Sequence, residues 1–256
     1  MLILVGLGLE VRDIPVRGLQ AAIEADKVLI EQYTLFVSAG YLDYLKNAVG
    51  GEILEVGRSE LEEDARNIVL PAAKEDIVIL VPGDPLIATT HYATLIETAK
   101  KLGVRCKVIH AASIYSAAVG ESGLDVYKFG APVTIAYWSE KYRPTSFLDT
   151  INSNLRGNRH TMLLLDLEQK EKRPMSLEEA LSLLRAAEAE KELDIITDET
   201  KVLVMGDVGK ESQDIAYARL GELKMLGKRF AGKFLVIIVP AQLTFAEEEF
   251  VVRFSA

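Results

Sequence analysis

The sequence predicts an α/β protein whose first half builds a largely parallel sheet. Over the first 110 residues, short β-rich runs alternate with longer amphipathic runs at the spacing of βαβ units. Hydrophobic residues make up 49% of the chain and charged residues 26%, the balance of a globular protein and not of a disordered one. At 256 residues the chain is long enough for one large domain or two modest ones with real cores.

The elements follow from that alternation. A strand over residues 2–5 closes at Gly6-Leu-Gly8. A helix over 16–25, a strand over 27–31, a helix over 39–48 and a strand over 52–56 come next. The pattern then predicts a helix over 61–73, the most apolar strand of this half over 76–81, and a helix over 90–102. Gly103 stands where a helix ends on a glycine, and a fifth strand covers 104–109. Small residues and turns over 111–123 mark a boundary, giving domains 1–111 and 112–256. The second half reads as strands over 133–137, 161–165, 202–205 and 235–239, with helices over 147–155 and 177–191. Ser176 and Glu179 form a capping-box pair for the last helix, and its charged end over 185–194 reads as a solvated face.

Lys and Arg total 29 against 38 Asp and Glu, a net charge of −9. That balance argues against general binding of nucleic-acid backbones. Cys106 is alone, and no Cys/His spacing fits a metal site, so no metal is expected. The apolar runs are far shorter than the about 18–20 residues that span a bilayer. The start of the chain lacks the basic region of a signal peptide. A cytoplasmic protein without a membrane partner is the expectation.

In an open parallel sheet, ligands gather where strands end and their loops diverge. Gly6-Leu7-Gly8-Leu9 follows the first strand, and its glycines allow close approach of backbone amides. It is not a full dinucleotide fingerprint, since Val11 stands where the third glycine belongs. Gly83-Asp84-Pro85-Leu86-Ile87-Ala88-Thr89-Thr90-His91 follows the strongest strand. Pro85 stiffens this loop, which is expected to project the Asp84 carboxylate. Without a Walker lysine, such a carboxylate suits hydroxyls or an ammonium better than phosphate. A plainer reading has Asp84 stabilise the turn or cap the following helix. His110 and His160 border strands and read as packing residues, while His91 is open to either reading. Cys106 sits in a predicted strand and reads as inert. No nucleophile elbow accompanies Ser113 or Ser116.

The GDPLIATTH segment resembles the diphthine synthases, a branch of the tetrapyrrole-methylase-like, or class III, methyltransferases. His110-Ala-Ala-Ser-Ile-Tyr-Ser116, Gly123-Leu-Asp-Val-Tyr-Lys-Phe-Gly130, Pro144-Thr-Ser146 and His160-Thr-Met-Leu-Leu-Leu-Asp166 follow in the order of that family's landmarks. The resemblance implies a dimeric enzyme of two α/β domains with S-adenosylmethionine in the interdomain cleft, leaving as S-adenosylhomocysteine. Position by position, it implies cofactor contacts from Leu9, Asp84, Ile87, Ser113, Ile114 and Leu165. Val208 and Leu235 occupy further contact positions, through backbone atoms. The chain departs from the family at Gly206-Asp-Val-Gly209, where an arginine-containing turn is usual, and at Leu235 and Leu243-Thr244, where histidines are usual.

The substrate so implied is a modified histidine of translation elongation factor 2 that carries an aminocarboxypropyl group, methylated on its amine. No side chain declares itself as the base, and the catalytic residues stay unassigned. Positioning is expected to dominate, with no indispensable proton acceptor. A corrin-type small-molecule methylase and a non-enzymatic nucleotide-binding module are the competing readings.

Overall fold

A computed structural model describes residues 1–168 and 171–255. It divides into two compact units, Met1–Tyr115 and Ser116–Ala256.

The first unit is a five-stranded, wholly parallel sheet. Its strands are β1 (Leu2–Gly6), β2 (Lys27–Glu31), β3 (Ile53–Val56), β4 (Ile77–Val81) and β5 (Cys106–Ile109), in the order β3-β2-β4-β1-β5. β1 and β4 are buried at every position, as central parallel strands covered on both faces must be. Successive side chains enter opposite cores. Ile3, Val5, Val28, Ile30, Val78 and Leu80 pack with α1 (Val16–Glu24) and α2 (Ala39–Val49). Leu2, Leu4, Leu29, Ile77 and Ile79 pack with α3 (Ala65–Val69) and α4 (Glu97–Lys101).

Two helices expected to be continuous are broken, each for a local reason. The helix expected over 61–73 becomes a π turn at Ser59–Glu63, the short α3 and a 3-10 turn at Pro71–Ala73. Pro71 has no amide hydrogen to continue the ladder. The helix expected over 90–102 begins with a π turn at Tyr92–Ile96 before α4. There the Thr94 hydroxyl donates to the Thr90 carbonyl at 3.2 Å, and such bonding to the preceding turn bends helices.

The small-residue stretch is a helix, α5 (Ile114–Ser122), where the sequence pattern gave only turns. The second unit follows with β6 (Val133–Ile135), α6 (Ser146–Arg156), β7 (Thr161–Leu165), the short hairpin β8 (Leu167–Glu168) and β9 (Arg173–Pro174), and α7 (Leu177–Lys191). It ends with β10 (Lys201–Gly206), β11 (Asp214–Arg219), β12 (Leu235–Val239) and α8 (Phe245–Val251). Its main sheet is mixed, in the order β11-β10-β12-β7-β6, with only β6 and β7 parallel. Ile151, Leu181, Leu184, Leu163, Val204 and Ile237 belong to its core. The Ser176/Glu179 capping box is formed in full, and Arg173 adds two bonds of 2.8 Å to the Glu179 carboxylate.

Among the described residues, no helix is long and apolar enough to cross a membrane and no cluster of three ligating side chains could hold a metal ion.

Candidate functional site

The strand order creates the site in the first unit. β1 and β4 are neighbours, yet their chains leave towards opposite faces, β1 to α1 and β4 to α4. Diverging connections at adjacent strand ends open the crevice in which parallel α/β sheets bind ligands. Here the two loops pair before they part. Gly83 donates its amide to the Gly8 carbonyl at 2.9 Å, and Gly8 returns a bond of 3.2 Å. Both glycines have positive φ, +76° and +71°, a region that costs other residues about 1–2 kcal/mol. A side chain on Gly83 would touch nothing within 4 Å, so its backbone face lies open.

A third loop joins across Gly6. β1 lies between β4 and β5, and a Cβ on Gly6 would come within 2.6 Å of the Gly83 carbonyl oxygen and 2.7 Å of the Ala111 Cβ. The loops after β4 and β5 therefore touch only because residue 6 has no side chain. Asp84 makes that contact. Its Oδ2 accepts from His110 Nδ1 at 2.9 Å and from the Ala111 amide at 3.2 Å, while Oδ1 accepts from the Leu86 amide at 2.9 Å. The sequence predicts a projecting carboxylate, but the structure turns it inward. It is 5% exposed and already accepts three bonds. A carboxylate offers about four acceptor sites, so Oδ1 retains room for one more donor.

His91 pins the same loop from beneath. Its ring is fully buried, with Nδ1 3.0 Å from the Pro85 carbonyl and Nε2 3.4 Å from the Tyr33 hydroxyl. A carbonyl only accepts, so Nδ1 carries the proton. The Thr89 hydroxyl donates to the same carbonyl at 2.6 Å. Burial pushes the Tyr33 phenol up to about 12. Of the two readings open for His91, the structural one fits this geometry.

His110 is where the sequence reading erred. Its side chain is 60% exposed at the end of β5 and is not a packing residue. The signal that singled out Asp84, a polar residue just past the end of a parallel strand, applies equally to His110. His160 is the packing histidine it was expected to be. It is fully buried, accepts the Ala241 amide on Nδ1 at 2.9 Å and approaches Glu247 through Nε2 at 2.9 Å. Burial lowers its pKa, so it stays neutral with its proton on Nε2. Burial alone would raise the Glu247 carboxyl, but the Lys128 ammonium at 2.6 Å, the Thr244 and Asp125 amides and His160 hold it well below the usual range.

The other expected contact residues fall into two sets. In the first unit, Leu9 follows the paired glycines, with its amide held by Asp13 Oδ2 at 3.1 Å. Ile87 is 43% exposed on the Asp84 loop, Ser113 is buried, and Ile114 opens α5. In the second unit, the ladders bring Leu165, Leu235 and Val208 to one edge. Val236 pairs with Leu164 and Gly206 with Leu235, so the end of β7, the start of β12 and the turn after β10 are neighbours. Val208 and Leu235 are 3% and 6% exposed, so their side chains serve the core. Cys106 is half-buried, and burial pushes its thiol pKa up, which favours the protonated form and slows its reactions.

Comparison with known proteins bears on this geometry. The profile of the tetrapyrrole (corrin/porphyrin) methylases matches residues 1–224. The diphthine synthase of Methanothermobacter thermautotrophicus is 36% identical over 256 residues, covering 100% of this chain and 96% of the relative. That of Methanocaldococcus jannaschii is 35% identical over 252 residues, covering 97% and 96%. A crystal structure of diphthine synthase superposes with a TM-score of 0.87 at 34% identity, covering 99% of this chain and 95% of the other.

Proposed function

The chain belongs to the tetrapyrrole (corrin/porphyrin) methylase family, and within it to the diphthine synthases; from that premise we propose that it transfers methyl groups from S-adenosylmethionine to the amine of the aminocarboxypropyl-histidine of translation elongation factor 2. It is a methyltransferase of diphthamide biosynthesis. The observation that carries the proposal is likeness along whole chains: the curated relatives match over 96% of their own length. It acts in the cytoplasm as a homodimer, with no nucleic-acid or membrane partner.

The residues of the first unit fit such a donor. The open backbone face at Gly83 admits close approach, and the free acceptor site on Asp84 suits a ribose hydroxyl or an ammonium. Exposed Ile87, with Leu9 and Ile114, supplies apolar wall, and Ser113 a polar contact. In the second unit, taken by itself, the proposed contact positions are Leu165, Val208 and Leu235. Bound there, the donor supplies a methyl on a sulfonium, already activated for displacement.

The protein's task is then alignment. Holding the attacking amine about 3–3.5 Å from the methyl carbon, in line with the bond that breaks, supplies several kcal/mol of the barrier. The paired Gly8 and Gly83 and the His91 pin keep the loops rigid for this purpose.

The test is mass spectrometry of purified elongation factor 2 bearing the unmethylated precursor, after incubation with this protein and S-adenosylmethionine. Whole-methyl increments on that histidine are expected. Methylation of a corrin or porphyrin instead would replace this reading.

A further inference from the structure

The Asp84–His110 contact has a chemical polarity. Asp84 Oδ2 can only accept, so the proton between the two sits on His110 Nδ1. The neutral ring then carries its basic lone pair on Nε2, which has no partner among the described residues, on a side chain 60% exposed. A buried carboxylate thus fixes the tautomer and plane of an exposed imidazole, the arrangement that orients a histidine base in acyl-transfer triads.

Other groups at this end of the sheet are committed elsewhere. Both His91 nitrogens are engaged in the interior. Asp13 Oδ2 accepts the Leu9 and Glu10 amides, and Glu10 accepts the Val11 amide. Glu31 is fully buried beneath the Tyr33 and Thr34 amides. An ammonium cannot attack a methyl group, so a proton must leave the substrate nitrogen for each methyl that arrives.

We propose that His110 Nε2 is the proton acceptor of methyl transfer and that Asp84 positions it, which departs from the sequence expectation that no acceptor is indispensable; this rests on the methyltransferase reading above. One N–H bond of the substrate ammonium breaks, and its proton passes to His110 Nε2. The freed lone pair forms the N–C bond while the S–C bond breaks, and its electron pair stays on sulfur as a thioether. Asp84 holds the ring in place through Nδ1–H while it carries the proton, and the exposed ring returns that proton to water.

Two measurements on the full chain test this. In 15N spectra of the protein alone, His110 is expected as the Nδ1–H tautomer, and Asp84→Asn is expected to release that preference. A wild-type ring found as the Nε2–H tautomer overturns the proposal. In single-turnover methylation of precursor-bearing elongation factor 2, His110→Gln is expected to slow transfer about 10²–10⁴-fold. KM and the calorimetric affinity for S-adenosylmethionine should stay within about threefold, the scale of a lost base and not a lost contact. His110→Ala should regain rate in proportion to added imidazole. Transfer by His110→Gln within about threefold of wild type overturns the assignment, as does a parallel loss of donor affinity. A wild-type protein that methylates no elongation factor 2 overturns the functional reading itself, and this proposal with it.

Discussion

Arg173 and Glu179 show how one pair of side chains makes stability depend on pH. The guanidinium bonds both carboxylate oxygens and draws the Glu179 pKa from 4.5 down to about 2. A carboxyl lowered in the folded state contributes its stability above its unfolded value and loses it as pH falls through the folded one. Glu179→Gln keeps a side chain that can cap Ser176 but removes the charge. Above pH 5 this variant is expected to be less stable by about 1 kcal/mol or less, since the pair is partly exposed. The gap should close as pH falls towards 2. Urea midpoints for both proteins across that range check it.

The strand ends decide what the site is. The loops after β4 and β5 meet over the end of β1 because Gly6 leaves room for them. Gly6→Ala puts a carbon where the Gly83 carbonyl and Ala111 already stand, and relieving such overpacking costs about 1–3 kcal/mol. This variant is expected to lose that stability in denaturant. Because that carbon displaces the Gly83 backbone, the face offered to the donor, affinity for S-adenosylmethionine in calorimetry should fall at least tenfold, about 1.4 kcal/mol.

Most of this was legible in the sequence. The five parallel strands and both chemically unusual loops follow from alternation and from Gly-Asp-Pro after the most apolar strand. β11 and the β8–β9 hairpin lie outside the expected strands, and three further features were hidden. α5 presents small residues and no apolar stripe, so the periodicity that marks a helix is absent there. α8 lies outside the expected helices, although Thr244 and Glu247 form a capping box at its start. The inward turn of Asp84 was hidden because it depends on which strands are neighbours, and pairing between residues 26 positions apart leaves no local mark.

Over the whole molecule, the two units have separate hydrophobic cores. Leu45 and Ile237, one in each unit, are both fully buried. Truncating either to alanine is expected to cost about 2–5 kcal/mol. The double variant should lose the sum to within about 0.5 kcal/mol, because the sites share no packing partner. Chemical denaturation of the single and double variants measures this. An interaction energy above 1 kcal/mol would mean that the cores respond to one another.

The single thiol has a practical consequence. Cys106 lies in β5, half-covered and kept in its protonated form, so it competes poorly for an alkylating dye. Tyr127 is 92% exposed. A cysteine placed there should take up a maleimide fluorophore well before the native one reacts. Intact-mass spectrometry over the course of labelling would register one adduct, and the protein would carry a reporter on its second unit with its own sulfur chemistry untouched.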